Sequence, residues 1–226
     1  MKELLEKFKI IPNDEKIFLK SLTHSSYLNE HQNLKEDLEK LEFMGDAVLQ
    51  LFVSELIYLD GKAKNEGEMT LMRSKLVRAE ALFKLAKEIN LGEFLRLGVG
   101  ADKNGGRTTK NVLADAFEAF IGAIYLDQGY HKVKEVIREL FLQKIKELDF
   151  ENLIDYKTRL QEVLISDKRK NVKYVEISKK GTPNDPIFEF AVVIDGDIEL
   201  ARGVGKSKKA AQQEAAKKAL AKCADL

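Results

Sequence analysis

The stretch EKLEFMGDAVLQLF (39–52) carries three acids, Glu39, Glu42 and Asp46, in an otherwise apolar, helix-forming segment. Spaced three and four residues apart, they share one face of a helix. A surface acid on a helix usually has a base at those offsets, but Glu42 has Leu38, Glu39, Gly45 and Asp46 there. Each like-charge pair costs an isolated helix roughly 0.2–0.5 kcal/mol. The anomaly recurs in NVLADAFEAFIGAIYL, where Asp115 and Glu118 stand three apart with no cation three or four residues away. If the two helices pack together, their carboxylates converge in a partly dry site that needs divalent cations or proton uptake. All-oxygen ligand sets favour Mg²⁺ or Mn²⁺, and Mg²⁺ binds through a few carboxylates plus substrate phosphate, which points to phosphoryl chemistry. A di-iron bundle needs Glu-x-x-His pairs, and none of His24, His31 and His131 follows a Glu by three. From spacing alone, a merely solvated acidic face stays open as the alternative. Gly45 and Gly122 interrupt these same helices, at a cost of about 1 kcal/mol each relative to Ala, which suggests close helix approach or room for a substrate.

The elements that must hold these acids are helical. Apolar residues recur at three and four positions in KIFLKSLTH, LEKLEFMGDAVLQLFVSELIYL, LMRSKLVRAEALFKLAKEI, NVLADAFEAFIGAIYL and VKEVIRELFLQKIKEL, with no proline in any of them. Glycine-bearing polar stretches at 61–68 and 98–110 suit loops. Residues 1–148 therefore read as an all-α domain. After a linker at 149–154 the texture changes: one short helix, then VKYVEIS, IFEFAVVI and IELARGVG as strands, then the alanine-rich SKKAAQQEAAKKALAKC with Ser207 as N-cap. Asp195-Gly196 suits a tight hairpin turn. Residues 155–224 thus form a small α+β unit of order α-β-β-β-α.

The net charge of +1 hides an asymmetry. Residues 155–226 hold 15 Lys and Arg against 11 Asp and Glu, or +4, which leaves 23 against 26, or −3, for residues 1–154. A basic tail on an acidic body suggests a polyanionic partner. The lone Cys223 excludes an internal disulfide and a cysteine zinc cluster, and reads as an ordinary helix-face residue in a reducing compartment. No run of 18 apolar residues and no signal-peptide core occurs, so the expectation is a soluble, cytoplasmic protein without membrane association.

In GVGKSKKAAQQEAAKK a P-loop is excluded, because Leu200 stands where that motif needs glycine and some 70 residues cannot hold a nucleotide-hydrolysing sheet. Lys206, Lys208 and Lys209 instead gather at a helix N-terminus, where side-chain charge and free N–H groups attract phosphate. This helix after α-β-β-β resembles a double-stranded RNA-binding domain, a module that reads A-form shape and backbone.

With the acidic helical domain in front, the chain resembles the ribonuclease III family over nearly its whole length. EKLEFMGDA resembles the family signature, and LTHSSY (22–27), NEGEMTLMRSKLV and NVLADAFEAFIGAIYLD resemble further family blocks. The resemblance implies a metal-dependent endoribonuclease that hydrolyses both strands of an RNA duplex, leaves 5′-phosphate and 3′-hydroxyl ends, and processes ribosomal RNA precursors and other structured transcripts. Mg²⁺ is the implied cofactor, with Mn²⁺ as a substitute. Glu42, Asp46, Asp115 and Glu118 match the family's metal and catalytic acids, Asp46 and Glu118 foremost for catalysis. Glu39 matches an acid near the cleft, and Glu66 one implicated in substrate contact. Phe43, which by itself reads as core filling, matches a phenylalanine inserted into the partner subunit of a symmetric homodimer. For RNA binding the resemblance suggests Thr158, Gln161 and Glu162 in the minor groove and Lys206, Lys208 and Lys209 on phosphates. Asn184 stands where many such modules carry a loop histidine, so it keeps hydrogen bonding without a charge. The rival reading is a dimer that holds duplex RNA without cutting it; the presence of all four acids argues for cleavage.

Overall fold

The computed structural model describes residues 1–226 except 32, 35, 149–154, 167–170, 183–184, 197 and 225–226. The chain forms two compact units, Met1–Leu153 and Ile154–Leu226. The first is all-α. Short helices α1 (Lys2–Lys7), α2 (Glu15–Ser21) and α3 (Ser25–Glu30) precede the long α4 (Glu39–Asp60), then α5 (Glu66–Val77), α6 (Ala79–Glu88), a short α7 (Val99–Lys103) and α8 (Lys110–Glu147), which is kinked at Gly129.

Its core fills the space between α4 and α8. Leu49, Phe52, Val53 and Ile57 from α4 meet Phe117, Phe120, Ile121 and Ile124 from α8, with Phe18 of α2 and Leu82 and Leu85 of α6 closing the sides. Fully burying each such side chain is worth about 1.5–3 kcal/mol. The apolar stripes read from the sequence face this core, and two seams in them become visible. LMRSKLVRAEALFKLAKEI is two helices rather than one: Arg78, with φ −68 and ψ 152, is extended and separates α5 from α6. The buried positions slip phase there, since Val77 is followed by exposed Glu80 and then by Leu82, Leu85 and Ala86. The other seam lies inside α8, where Gly129, whose φ of +79 only glycine adopts freely, separates the two helices that the sequence leads one to expect.

The stretch at 98–110, expected as a loop, contains α7 and a 3₁₀ turn (Gly106–Thr108). Arg107 organises it: Nε donates to Asp102 Oδ1 at 2.7 Å while Nη1 donates to the carbonyls of Leu95 at 2.8 Å and Gly92 at 3.0 Å. One guanidinium thus satisfies groups that a bare loop would leave to water.

The second unit has the expected α-β-β-β-α order: α9 (Tyr156–Ser166), β1 (Val172–Thr182), β2 (Asp185–Ile194), β3 (Ile198–Gly205) and α10 (Lys208–Ala224). The sheet is antiparallel in the order β1-β2-β3. Leu160 and Leu164 of α9, Val192 and Ile194 of β2, and Ala215, Ala216 and Ala219 of α10 make its core. The alanine richness of α10 has a steric cause: a Cβ at Gly203 of β3 would overlap the backbone at Ala211 and Ala215, so helix and strand touch through small residues. Ser207 Oγ accepts from Ala210 N–H at 3.1 Å, as an N-cap does. At the β2–β3 turn Asp195 and Gly196 both have positive φ, 49 and 102. Cys223 packs against this core as an ordinary helix residue.

Candidate metal centre and nucleic-acid groove

Helices α4 and α8 cross with their backbones in contact. A Cβ placed on Gly45 would overlap the Glu118 carbonyl, and one on Gly122 would overlap the Leu41 carbonyl. The two helix-interior glycines therefore let the acid-bearing turns meet. At this seam carboxylate oxygens of Glu42, Asp115 and Glu118 all come within 4.8 Å of one another. Asp46, one turn beyond Glu42, is not part of that close triad, although its charge is the strongest electrostatic influence on Glu118.

The site is costly in the absence of a cation. Burial, followed by repulsion from Asp46, Glu42 and Asp115, pushes Glu118 from 4.5 up to about 8. Burial also raises Glu42, with Asp115 the first of four acids adding to it. Asp115 is raised by burial and drawn back by the nearby His24. Half-buried oxygens with raised proton affinity and, among the described residues, no lysine or arginine partner suit a hard divalent ion, so the donor set fits Mg²⁺ or Mn²⁺.

Two residues that the sequence reading left aside support this site. Gln50 donates from Nε2 to Asp46 Oδ1 at 3.3 Å, one turn along α4. His24 caps α3, its Nδ1 accepting from Ser26 N–H at 3.1 Å. The i, i+4 spacing of Gln50 was visible in the sequence; the approach of His24 to Asp115 is tertiary. Glu39 lies in the first turn of α4, exposed, and adds to the repulsion on Glu42. Glu66 opens α5 and lines a different cavity of about 400 Å³ with Leu51, Ser54, Tyr58 and Arg73. The structure does not bring it into the triad.

Phe43 does not fill the core: it is 79% exposed, and Leu51, Tyr58 and Leu59 farther along α4 are exposed as well. Such an apolar strip on a helix is a marker of an interaction surface.

In the second unit a groove of about 530 Å³ is lined by Thr158 and Gln161 of α9, Tyr174 of β1, and Lys209 and Gln213 of α10. Three of the expected RNA-binding residues, Thr158, Gln161 and Lys209, therefore share one concavity. Glu162, Lys206 and Lys208 are exposed outside its lining. Lys206 pairs with Asp185 at 3.0 Å and Lys208 with Glu176 at 2.7 Å, both at the surface, where such pairs are worth little and exchange readily for another anion. Asn184 and the linker 149–154 lie outside the described residues.

A helical unit with a carboxylate triad, followed by a small α-β-β-β-α unit with a basic groove, defines a nuclease joined to a duplex-RNA-binding module. Comparison with known proteins gives the same division. The Ribonuclease-III-like family matches residues 14–145 and the double-stranded RNA binding motif matches residues 156–223. Ribonuclease 3 of Streptococcus sanguinis is 42% identical over 222 residues, covering 98% of this chain and 95% of its own. Ribonuclease 3 of Streptococcus pneumoniae (strain TIGR4) is 43% identical over 213 residues, covering 94% and 91%. The crystal structure of the ribonuclease III nuclease domain from Campylobacter jejuni, 32% identical, aligns with a TM-score of 0.59 over 66% of this chain and 98% of that domain. The chain belongs to the ribonuclease III family of double-stranded RNA endonucleases.

Proposed function

We propose that this protein cuts double-stranded RNA by divalent-metal-dependent hydrolysis of phosphodiester bonds, leaving 5′-phosphate and 3′-hydroxyl ends. The observation that carries the proposal is the meeting of Glu42, Asp115 and Glu118 within 4.8 Å at the glycine seam of α4 and α8. These three would hold the cation, with Asp46 completing the acidic rim. A bound Mg²⁺, or Mn²⁺ in its place, would supply Lewis acidity to activate water and positive charge beside the phosphoryl oxygens and the departing 3′ oxygen. The chain's own part is positioning. Gln50 orients Asp46, and burial together with the neighbouring acids makes the Glu118 carboxyl hold a proton, which a bound cation would displace. Residues 1–148 are assigned to cleavage and 155–224 to holding the duplex, with Thr158 and Gln161 at the minor groove and the lysines on phosphates.

The substrates fit structured transcripts such as ribosomal RNA precursors, and the site of action is the cytoplasm. Among the described residues no helix is long and apolar enough to cross a membrane. A symmetric homodimer is supported by the exposed Phe43, Leu51 and Tyr58 on one helix. A Campylobacter jejuni relative has been described with structural flexibility in a region of its nuclease domain involved in dimer formation. Sedimentation of Phe43→Ala at micromolar concentration tests the dimer: a monomer is expected, and an unchanged dimer with unchanged activity removes Phe43 from the interface.

The function is tested by cleavage of an end-labelled RNA duplex by wild type and Glu118→Gln, each with Mg²⁺ and with chelator, beside a gel shift in Ca²⁺. Cutting by wild type with Mg²⁺ alone, and binding without cutting by the variant, are expected. Binding without cutting by both would mean a protein that only holds duplex RNA.

A further inference from the structure

The helix that carries Asp115 and Glu118 starts without a side-chain cap. Thr109 stands at the N-cap of α8, but its Oγ1 donates back to the Gly105 carbonyl at 3.1 Å. The start of α8 is fixed instead by Arg107. Its Nε and Nη2 donate to Asp102 Oδ1 and Oδ2 at 2.7 and 3.1 Å, while Nη1 donates to the carbonyls of Leu95 at 2.8 Å and Gly92 at 3.0 Å. The backbones meet there as well, since a Cβ on Gly92 would overlap the Arg107 carbonyl. Farther along, α8 is fixed again where Gly122 abuts Leu41 of α4. Asp115 and Glu118 lie between these two fixed points.

The segment that Arg107 holds is itself tied to a residue beside the acids. Arg96 follows Leu95 directly and pairs in parallel with Thr23: Arg96 N–H donates to the Leu22 carbonyl at 2.7 Å, and the Arg96 carbonyl accepts from His24 N–H at 3.0 Å. His24 is the residue whose charge draws the Asp115 carboxyl down. One planar group thus ties the start of α8 to the strand-like pairing that carries His24. Lysine does not replace it, because an ammonium has no rigid fork to span a carboxylate and two carbonyls at once. The Asp102 arm is partly exposed, where an ion pair adds little, so the carbonyl arm carries most of the effect.

We propose that Arg107 is a positioning residue for the metal centre: by joining the start of α8 to residues 92–95, it holds Asp115 and Glu118 at the spacing from Glu42 that a divalent cation requires. The proposal rests on the reading of those three acids as the residues that hold the cation, and adds to it a residue outside the acidic set. The consequence is a defect in metal affinity that is visible without RNA.

The test measures Mn²⁺ binding to the full chain without RNA, from the loss of the free-ion signal in electron paramagnetic resonance. Beside it stands the Mg²⁺ concentration that gives half-maximal single-turnover cleavage. Glu118→Gln identifies the site by losing the bound Mn²⁺. Arg107→Ala should weaken Mn²⁺ binding roughly 10-fold and raise the Mg²⁺ requirement by a similar factor, as the loss of an outer-shell partner does. Millimolar guanidinium should recover most of that loss, whereas Arg107→Lys should remain close to the alanine variant. Asp102→Asn, which keeps the carbonyl arm, should weaken Mn²⁺ binding by no more than roughly fivefold, the limit for a surface pair. Unchanged Mn²⁺ affinity in Arg107→Ala, with only a lower melting temperature, would mean a purely structural role and overturns the proposal. Where Arg107→Ala does not fold, Arg107→Lys decides, and wild-type Mn²⁺ affinity in that variant overturns the proposal too. Binding by wild type that Glu118→Gln abolishes leaves the metal-centre reading standing in either case; a wild type that takes up no Mn²⁺ removes both.

Discussion

The two units handle charge in opposite ways. At the α4–α8 seam, like charges are crowded, half-buried and without a cation, so that Glu118 is pushed up to about 8. In the second unit the charges are spread over the surface and several are paired, with Lys206 on Asp185, Lys208 on Glu176, and Asp155 under Gln213. The difference separates two kinds of readiness. The first site crowds acids that repel one another, and it should respond to metal and pH. The second is complete in the free protein, and it should respond to salt and to the shape of its ligand.

The strongest way to break this contrast is to remove one acid. Glu118→Gln should lower cleavage by at least about 100-fold, since even outer-shell partners of a metal cost 10- to 100-fold, and leave duplex binding in Ca²⁺ unchanged. A variant that also lost RNA binding would show that the two sites are not separable. Next in size is the seam. Gly122→Ala would drive a methyl group into the Leu41 carbonyl and should cost about 1–3 kcal/mol, read as a lower urea midpoint with an unaltered slope.

A smaller effect follows from linkage. In the metal-free folded protein Glu118 keeps its proton up to about 8, whereas its ordinary value is 4.5, so the folded state binds more protons than the unfolded state between those limits. Stability in chelator should therefore fall as pH rises from 4.5 through about 8. Glu118→Gln should flatten that slope and melt roughly 2–6 °C higher than wild type at the alkaline end. A wild-type melting temperature in chelator that rises over this range would contradict the crowding of the acids. The mildest perturbation sharpens the other side: Lys208→Ala with Lys209→Ala should reduce the salt slope of duplex binding by about 1–2, one for each lost phosphate contact. An unchanged slope would take these lysines off the RNA surface.

Much of the architecture could be read from the sequence because its signals are local. The acids at 42, 46, 115 and 118 without a base three or four residues away, the helix-interior Gly45 and Gly122, and the Asp195-Gly196 turn are all short-range patterns whose physical meaning survives into three dimensions. What escaped was either a phase slip or a long-range contact. Arg78 breaks a helix because the apolar register shifts around it, which a continuous stretch without glycine or proline disguises. The exclusion of Asp46 from the close triad depends on how α4 and α8 cross, and spacing along one helix carries no information about that. Phe43 by its residue type alone reads as core, and only the family resemblance put it at a surface; in the structure it is exposed on α4. The grip of Gln213 on Asp155 spans 58 residues and leaves no trace in either local segment.

The contact of Gly45 with the Glu118 carbonyl also works as a gauge. The gap between the carboxylates of α4 and those of α8 is set by two absent side chains, not by the acids themselves. Any residue larger than glycine at position 45 or 122 is a shim that moves Glu42 away from Asp115 and Glu118 while changing none of them. Because Mg²⁺ demands short, near-octahedral oxygen bonds and Ca²⁺ accepts longer and looser ones, a shimmed seam should lose the smaller ion first. Cation size selection would then be inherited from helix packing, and could be retuned without altering a single ligand.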